Sequence, residues 1–483
     1  MNTALTKKKK IGYGFGILTE SLIYNMFYTY YLTFLIEIAG IKPAYSSIII
    51  FLSIAWDAIT DPMVGNYADK PGVDKRKMMK LSIVPLALVF ILAWTAVGAG
   101  FSSQLAKVIV YTLITMCIWI FYTFYTISYY AVVAELTEDY DERTNIRSIS
   151  SLINASAVGL GNILPALVPT VMIYVGKNSS YAVIAVIVSI LAIIGGFVCV
   201  KSLGGVYTPR QATGNEPQIT LLDTVKTYGG IMKLKPTKWF LIFVFFFLAS
   251  TSMIQSNLTY MVVDCIGMEY DTGIAIVIIS LVVFMALTVP IVEKIAVKTD
   301  RRITSIIFLT FTAAGEVVCK LIGLDASIGG FKIMAIICPA LLGIAIGTFW
   351  TFFYPMGYDL VELDEYVTGK RKESAITALP QLVQKFGSAF GIFMVGQLLT
   401  AYGYNKSADI AGQESLIKAV TDKAIIGGME NISTVIPAAG LVISLIALII
   451  FPMNRKRFNI LTEKLAAKRK GEEVSDEGLE KLL

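Results

Sequence analysis

At 483 residues, the chain is 55% hydrophobic, only 16% charged and carries a formal net charge of +6. A water-soluble protein of this length has more charge and less apolar sequence, and apolar runs of about 20 residues recur from Ile11 to Pro452, so a soluble fold is excluded. The short alternating segments of a membrane β-barrel are absent, and the lysines and arginines gather in loops, which gives no reason to invoke nucleic acid.

Twelve stretches are long and apolar enough to cross a bilayer as helices: 11–39, 43–68, 79–99, 105–136, 148–174, 181–203, 239–263, 272–297, 303–324, 331–360, 375–402 and 433–452. The first follows Lys7 to Lys10 but contains Glu20 and no clear small-residue cleavage site, so it reads as a retained helix and not a signal peptide. Basic residues concentrate before the first stretch and after the even-numbered ones, among them Lys70, Lys75, Arg76, Lys77, Lys298, Arg301, Arg302, Lys370 and Arg371. By the positive-inside rule both termini are expected in the cytoplasm. Segment 204–236 mixes Gly, Pro, Thr and charge and reads as a linker. The expected organisation is an all-α membrane protein with a six-helix bundle over 1–203, a cytoplasmic linker over 204–236, a second six-helix bundle over 237–452 and a solvated cytoplasmic tail over 453–483.

The two halves echo one another. Phe121-Tyr122-Thr123-Phe124 recurs as Phe349-Trp350-Thr351-Phe352, and each is followed by an acid-rich loop, Glu135-Leu136-Thr137-Glu138 and Glu362-Leu363-Asp364-Glu365. Such internal repetition is the pattern of a transporter with a substrate path between two related bundles.

The second stretch holds Trp56-Asp57-Ala58-Ile59-Thr60-Asp61-Pro62, with two carboxylates four residues apart. On a helix they share a face, and ionisable groups at membrane depth are costly enough to mark function. A coupling cation bound by Asp57 and Asp61, with Thr60 as a further oxygen, is one reading, with Na⁺ and H⁺ both open; a structural ion pair with Lys385, deep in the eleventh stretch, is the other. The chain has no histidine, its five cysteines lack paired or metal spacing, and no nucleophile–base set or phosphate-binding loop appears. Neither an enzyme nor an ATP-driven pump is expected, and no cofactor beyond the coupling ion.

Three motifs carry a family resemblance. They are Lys10-Ile11-Gly12-Tyr13-Gly14-Phe15-Gly16, the Trp56–Pro62 run and Lys385-Phe386-Gly387-Ser388-Ala389-Phe390. Together they resemble the glycoside–pentoside–hexuronide:cation symporters, the family of the melibiose carrier within the major facilitator superfamily. The resemblance runs from Lys10 to Pro452 and implies the twelve-helix major facilitator fold and cation-coupled sugar transport by alternating access. It also implies that Asp57 and Asp61 bind the cation with Thr123, and that Lys385 couples the cycle. Where the melibiose carrier has sugar-binding aspartates in spans one and four, this chain has Ser21 and Thr126, and Thr60 replaces an asparagine. The galactoside set is thus not kept, while the cation set largely is.

Other candidates follow from residue type. Glu20, Ser21, Tyr24, Tyr28, Thr126, Tyr130 and Trp350 are expected to contact substrate, since aromatic faces stack on sugars and polar tips bond their hydroxyls. Asp69 with Arg76, Asp300 with Arg301, and Glu135, Arg143, Asp359, Glu362 and Arg371 are expected to form cytoplasmic gate pairs. The expected function is Na⁺- or H⁺-coupled symport of a sugar or glycoside by a monomer in the plasma membrane. The alternatives are an uncoupled facilitator of a non-sugar solute and a membrane sensor of the same fold.

Overall fold

A computed structural model describes residues 6–68, 70, 72–136, 140–207, 228–369, 373–404, 420, 422–472 and 474–482. Helices occupy all twelve stretches marked in the sequence. In chain order they are α1 (Lys7–Gly14), α2 (Ile17–Glu37), α3 (Pro43–Ala68), α4 (Lys75–Ala93), α5 (Gln104–Leu136), α6 (Tyr140–Ile163), α7 (Val168–Val175) and α8 (Lys177–Ser202). The chain continues with α9 (Lys235–Ser256), α10 (Tyr270–Lys298), α11 (Arg301–Ile322), α12 (Met334–Thr368), α13 (Glu373–Ala401), α14 (Lys423–Ser433), α15 (Val435–Ile450) and α16 (Arg455–Arg469). A small antiparallel hairpin of β1 (Ser327–Ile328) and β2 (Phe331–Lys332) links α11 to α12. Among the described residues, ten helical segments are long and apolar enough to cross a membrane. The shortfall lies at α2, which holds Glu20 and Glu37, and at α4, which opens with Lys75, Arg76 and Lys77.

Several stretches read as continuous are broken. The first is divided between α1 and α2, around Gly16, whose missing side chain admits Tyr129 and Cys199. The fifth is interrupted by a 3₁₀ turn at Leu164–Leu167 because Pro165 and Pro169 cannot continue the ladder of amide bonds. The seventh passes from α9 through Leu258–Tyr260 into a π-helical turn at Met261–Ile266, closed by Gly267 at φ 73°. The twelfth is a single helix, α15, preceded by α14, which ends at Ser433 and meets it at Thr434.

Contacts divide the chain into two compact units. The first is Met1–Gln218 with Glu269–Ala275 and Ile392–Ile425; the second is Ile219–Met268, Ile276–Gly391 and Ile426–Leu483. In the first, α3 and α4 pack on α5, and α2 and α8 pack on each other and on α6 and α4 respectively. The end of α13 in this unit lies on the start of α3: Gln397 donates to the Ala44 carbonyl at 3.2 Å, and the Ala44 amide donates to Thr400 at 3.1 Å. Nearby, Tyr404 donates to the buried Glu37 carboxylate at 2.7 Å.

In the second unit α9, α11, α12 and α15 enclose an aromatic core that includes Phe240, Phe243, Phe247, Phe349 and Phe353. The tail is not a solvated end. Leu461 and Leu465 of α16, with Leu479 and Leu482 beyond it, are buried in this same core. Arg469 forks onto Glu365 at 2.8 and 2.6 Å, Lys468 donates to the Tyr366 carbonyl at 2.7 Å, and Tyr366 donates to Asp476 at 2.7 Å. The apolar residues of the tail are sparse, which hides its docking face among charges in the sequence.

Candidate functional site

The Trp56–Pro62 run lies in the second half of α3, which packs along α5. Asp57 is 1% exposed, and Thr123 of α5 is fully buried opposite it. The Thr123 hydroxyl lies 2.7 Å from Asp57 Oδ1 and 3.0 Å from Asp61 Oδ1. The four-residue spacing thus does what helix geometry predicts: it aims both carboxylates at one hydroxyl on the neighbouring helix. Two carboxylates and a hydroxyl give three hard oxygen donors on two helices, a donor set suited to an alkali cation or to a shared proton.

The other hydroxyls near the run are occupied differently. Thr60 donates to the backbone carbonyl of Asp57 at 3.1 Å. Ser53 donates to the Ile49 carbonyl at 2.6 Å and contacts Thr115, so it belongs to the α3–α5 seam and not to the carboxylate pair. Serine and threonine inside a helix commonly bond back to the preceding turn, and sequence spacing does not reveal which do so.

Several expected substrate residues gather on the same side of this unit. Tyr24 and Tyr28 stack with ring centroids 4.2 Å apart. Tyr28 lies within electrostatic range of Asp57 and Asp61, and Tyr122 within range of Glu20, Tyr24 and Asp57. Ser21 hydrogen-bonds Asn154 of α6, which sequence reasoning did not single out. The ladder continues along α2: Asn25 donates to the Ser21 carbonyl at 2.7 Å, Asn162 donates to Asn25 at 3.2 Å, and Thr29 donates to Asn162 at 2.8 Å. Asparagines on an apolar helix were the available signal, since each needs a partner when buried. Thr126 makes a long contact of 3.5 Å to the Thr123 carbonyl, and Tyr130, 37% exposed, stands edge-on to Tyr129. Tyr125 and Tyr129 are braces: Tyr125 donates to Gly16 at 2.8 Å, and Tyr129 stacks on Tyr13 at 4.6 Å.

The second unit holds Trp350 and Lys385. Trp350 of α12 is 38% exposed and edge-on to Phe349. Lys385 of α13 is half-buried, one turn before the buried Ser388. It is not alone among basic residues within the spans, for Lys320 of α11 is part-buried and paired with Glu430 of α14.

The expected gate pairs are rearranged. Asp300 does not pair with the side chain of Arg301 or Arg302; it caps α11 by accepting from the Arg302 amide at 2.7 Å and accepts from the Arg455 amide at 2.6 Å. Arg301 pairs instead with Asp359 at 3.2 Å, and Arg302 donates to the Leu448 carbonyl at 2.9 Å. Asparagine and aspartate before a helix favour the cap because its first amides lack partners. Arg76 donates to the Val200 carbonyl at 2.8 Å. Glu362 is half-buried on α12. Asp69 and Arg371 lie outside the described residues, as do the side chains of Glu135 and Arg143.

Comparison with known proteins places this architecture. Residues 12–455 match the family described as MFS/sugar transport protein. The uncharacterized symporter YjmB of Bacillus subtilis (strain 168) is 23% identical over 84% of this chain and 85% of its own length. The glucuronide carrier protein homolog of Escherichia coli (strain K12) is 20% identical over 97% of this chain and 98% of its own. Among solved structures, a bacterial homolog of the human lysosomal transporter Spinster, inward-facing and unoccupied, superposes with a TM-score of 0.65 at 12% identity, covering 96% of this chain and 98% of that one. The nucleoside transporter NupG gives 0.62 at 14% identity, covering 92% and 99%. These structural likenesses show the fold. The chain belongs to the MFS/sugar transport protein family and is a multi-pass membrane transporter of the major facilitator type.

Proposed function

We propose that the protein moves a sugar or glycoside together with Na⁺ or H⁺, with Asp57, Asp61 and Thr123 binding the cation and Thr60 lending a further oxygen. The observation that carries this reading is the buried Thr123 hydroxyl shared by two carboxylates in a membrane helix. Intramembrane acids are rarely kept for stability, and two of them on one hydroxyl favour a bound positive particle. Cation and solute then raise each other's affinity equally, as linkage requires. Lys385 serves as the coupling cation of the cycle. Glu20, Tyr24 and Tyr28, with Tyr122, form the substrate-facing set of the first unit, and the relative named as a glucuronide carrier protein homolog fits a sugar-type cargo. Ser21, here bonded to Asn154, stands where the melibiose carrier has its span-one sugar-binding aspartate, so a cargo other than melibiose is favoured. The protein works in the plasma membrane as a monomer with both termini cytoplasmic, and Arg301–Asp359 belongs to its cytoplasmic gate.

Uptake of labelled pentosides, glucosides, galactosides and hexuronides into vesicles tests this, with and without a Na⁺ or proton gradient. Accumulation of at least one sugar that requires one of the gradients is expected. Gradient-independent equilibration would make the protein a facilitator, and saturable binding without flux would make it a sensor; either overturns the symport reading.

A further inference from the structure

Helix α11 carries a carboxylate that the transport reading leaves unused. Its packed face includes Leu309, Thr312, Ala313, Glu316 and Cys319, while Ile307, Phe311, Val318 and Leu321 are exposed on the other side. Glu316 therefore points into the bundle: its relative exposure is 0%, and neither carboxyl oxygen has a hydrogen-bond partner. Gly315 brings α11 hard against Leu341 of α12 beside it. Cys319 on its own helix and Cys338 on α12 lie within electrostatic range of Glu316, and their thiols contact each other. Helix α15, also packed along α11, contributes no titratable residue over Val435–Ile450. Beyond Cys338 lies Cys265 of the π-helical turn, itself within electrostatic range of Asp264, Glu430 of α14 and Lys320. Lys320, one turn after Glu316, is the cation of this cluster among the described residues, and its ammonium rests on Glu430.

We infer that Glu316 is a proton-binding site of the second unit, with Lys320 as a two-position counter-charge. A carboxylate with neither donor nor counter-charge in a dry site is strongly disfavoured, so the group is carried as the neutral acid while Lys320 is held by Glu430. Residues i and i+4 of a helix are neighbours, so the Lys320 ammonium reaches either carboxylate by rotating its own side chain. When the Glu316 O–H bond breaks, the proton passes to bulk water and Lys320 moves from Glu430 to the new carboxylate, leaving the Glu430 charge, on a side chain 17% exposed, to be met by solvent. The contacts given for this stretch of α11 are the Leu341 side chain and the Cys319 and Cys338 thiols, whereas an alkali ion needs several converging oxygens, so the ligand proposed is a proton.

Infrared difference spectroscopy of the purified full-length protein, titrated in pH, reads protonated carboxyl groups directly through their carbonyl stretch. The wild type is expected to lose a band on alkalinisation that Glu316→Gln lacks at every pH. Lys320→Met keeps Glu316 in place and serves if the glutamine variant does not fold; its band is expected to persist to higher pH, since no ammonium is available to compensate the carboxylate. Identical bands in wild type and Glu316→Gln, or an unshifted titration in Lys320→Met, would overturn the inference. Neither arm uses transport, so the outcome is separate from that at Asp57 and Asp61.

Discussion

Thr123 touches both carboxylates of α3, and its replacement separates hydroxyl from shape. Hydrogen bonds to charged groups are worth about 1.5–3 kcal/mol, so Thr123→Ala is expected to weaken cation affinity by roughly tenfold or more, while Thr123→Ser retains most of it. Titration of cation-dependent substrate binding or tryptophan emission measures this, and equal affinities in the two variants would remove the hydroxyl from the site. Asp57→Asn and Asp61→Asn are expected to abolish gradient-driven accumulation while leaving exchange or binding of the solute measurable; normal accumulation in both would sink the cation assignment. That Asp57 and Asp61 face one side was legible in the sequence from their four-residue spacing, whereas Thr123, an uncharged hydroxyl on another helix, came only through the family resemblance. The bonding of Ser53 and Thr60 to their own backbone was not legible, because a hydroxyl at the right spacing has a carbonyl one turn away in every helix. The pairing of Ser21 with Asn154 depends on how α2 meets α6, which no local pattern encodes.

At the scale of the element, the clearest lesson comes from the ends of helices. Asp300 reads as half of an ion pair next to Arg301 and Arg302, yet both of its oxygens serve backbone amides, one of them at the start of α16. Asp300→Ala therefore removes a cap worth about 1 kcal/mol and also frees the tail, whereas Asp300→Asn keeps a capping oxygen. Thermal unfolding in detergent is expected to rank wild type above Asn above Ala. The docking of α16 rests on apolar burial more than on its exposed ion pair, since exposed pairs contribute about 1 kcal/mol at most. Leu461→Ala and Leu465→Ala are each expected to cost about 2–5 kcal/mol and to open the tail to protease, while Arg469→Ala changes little. A tail cleaved no faster in the leucine variants than in wild type would contradict this. Breaks inside the fifth and seventh stretches escaped a reading by hydropathy because apolar length says where a chain crosses a bilayer, not whether one helix does the crossing.

Across the whole molecule, the fold class was legible because apolar stretches, basic loops and the recurring Phe-x-Thr-Phe runs all agree on a two-fold repeated helical plan. What holds each unit together was less so. In the second unit Gly343 meets the Leu281 carbonyl of α10, and Gly391 meets Ala249 of α9, so helix backbones touch where a side chain has no room. In bilayers such close approach supplies much of the association between helices. Gly343→Val is accordingly expected to destabilise by about 1–3 kcal/mol through overpacking and to lower the yield of folded protein, whereas Gly159→Val, with nothing within 4 Å of the added carbon, is expected to be tolerated. Detergent-extracted folded fraction by size-exclusion fluorescence distinguishes the two, and equal loss in both would show that glycine content, not contact, sets stability.

The Thr123 contact also bears on what the pair of carboxylates can hold. A hydroxyl carries a single hydrogen, while carboxylate oxygens of Asp57 and Asp61 stand 2.7 and 3.0 Å from this one. Whichever carboxylate receives that hydrogen, the other meets the threonine oxygen lone pair to lone pair. A proton on the second carboxyl reverses that contact into an attraction, and a metal ion drawing all three oxygens as ligands does the same. Under the proposed coupling Na⁺ and H⁺ are thus rivals for one position between the two carboxylates.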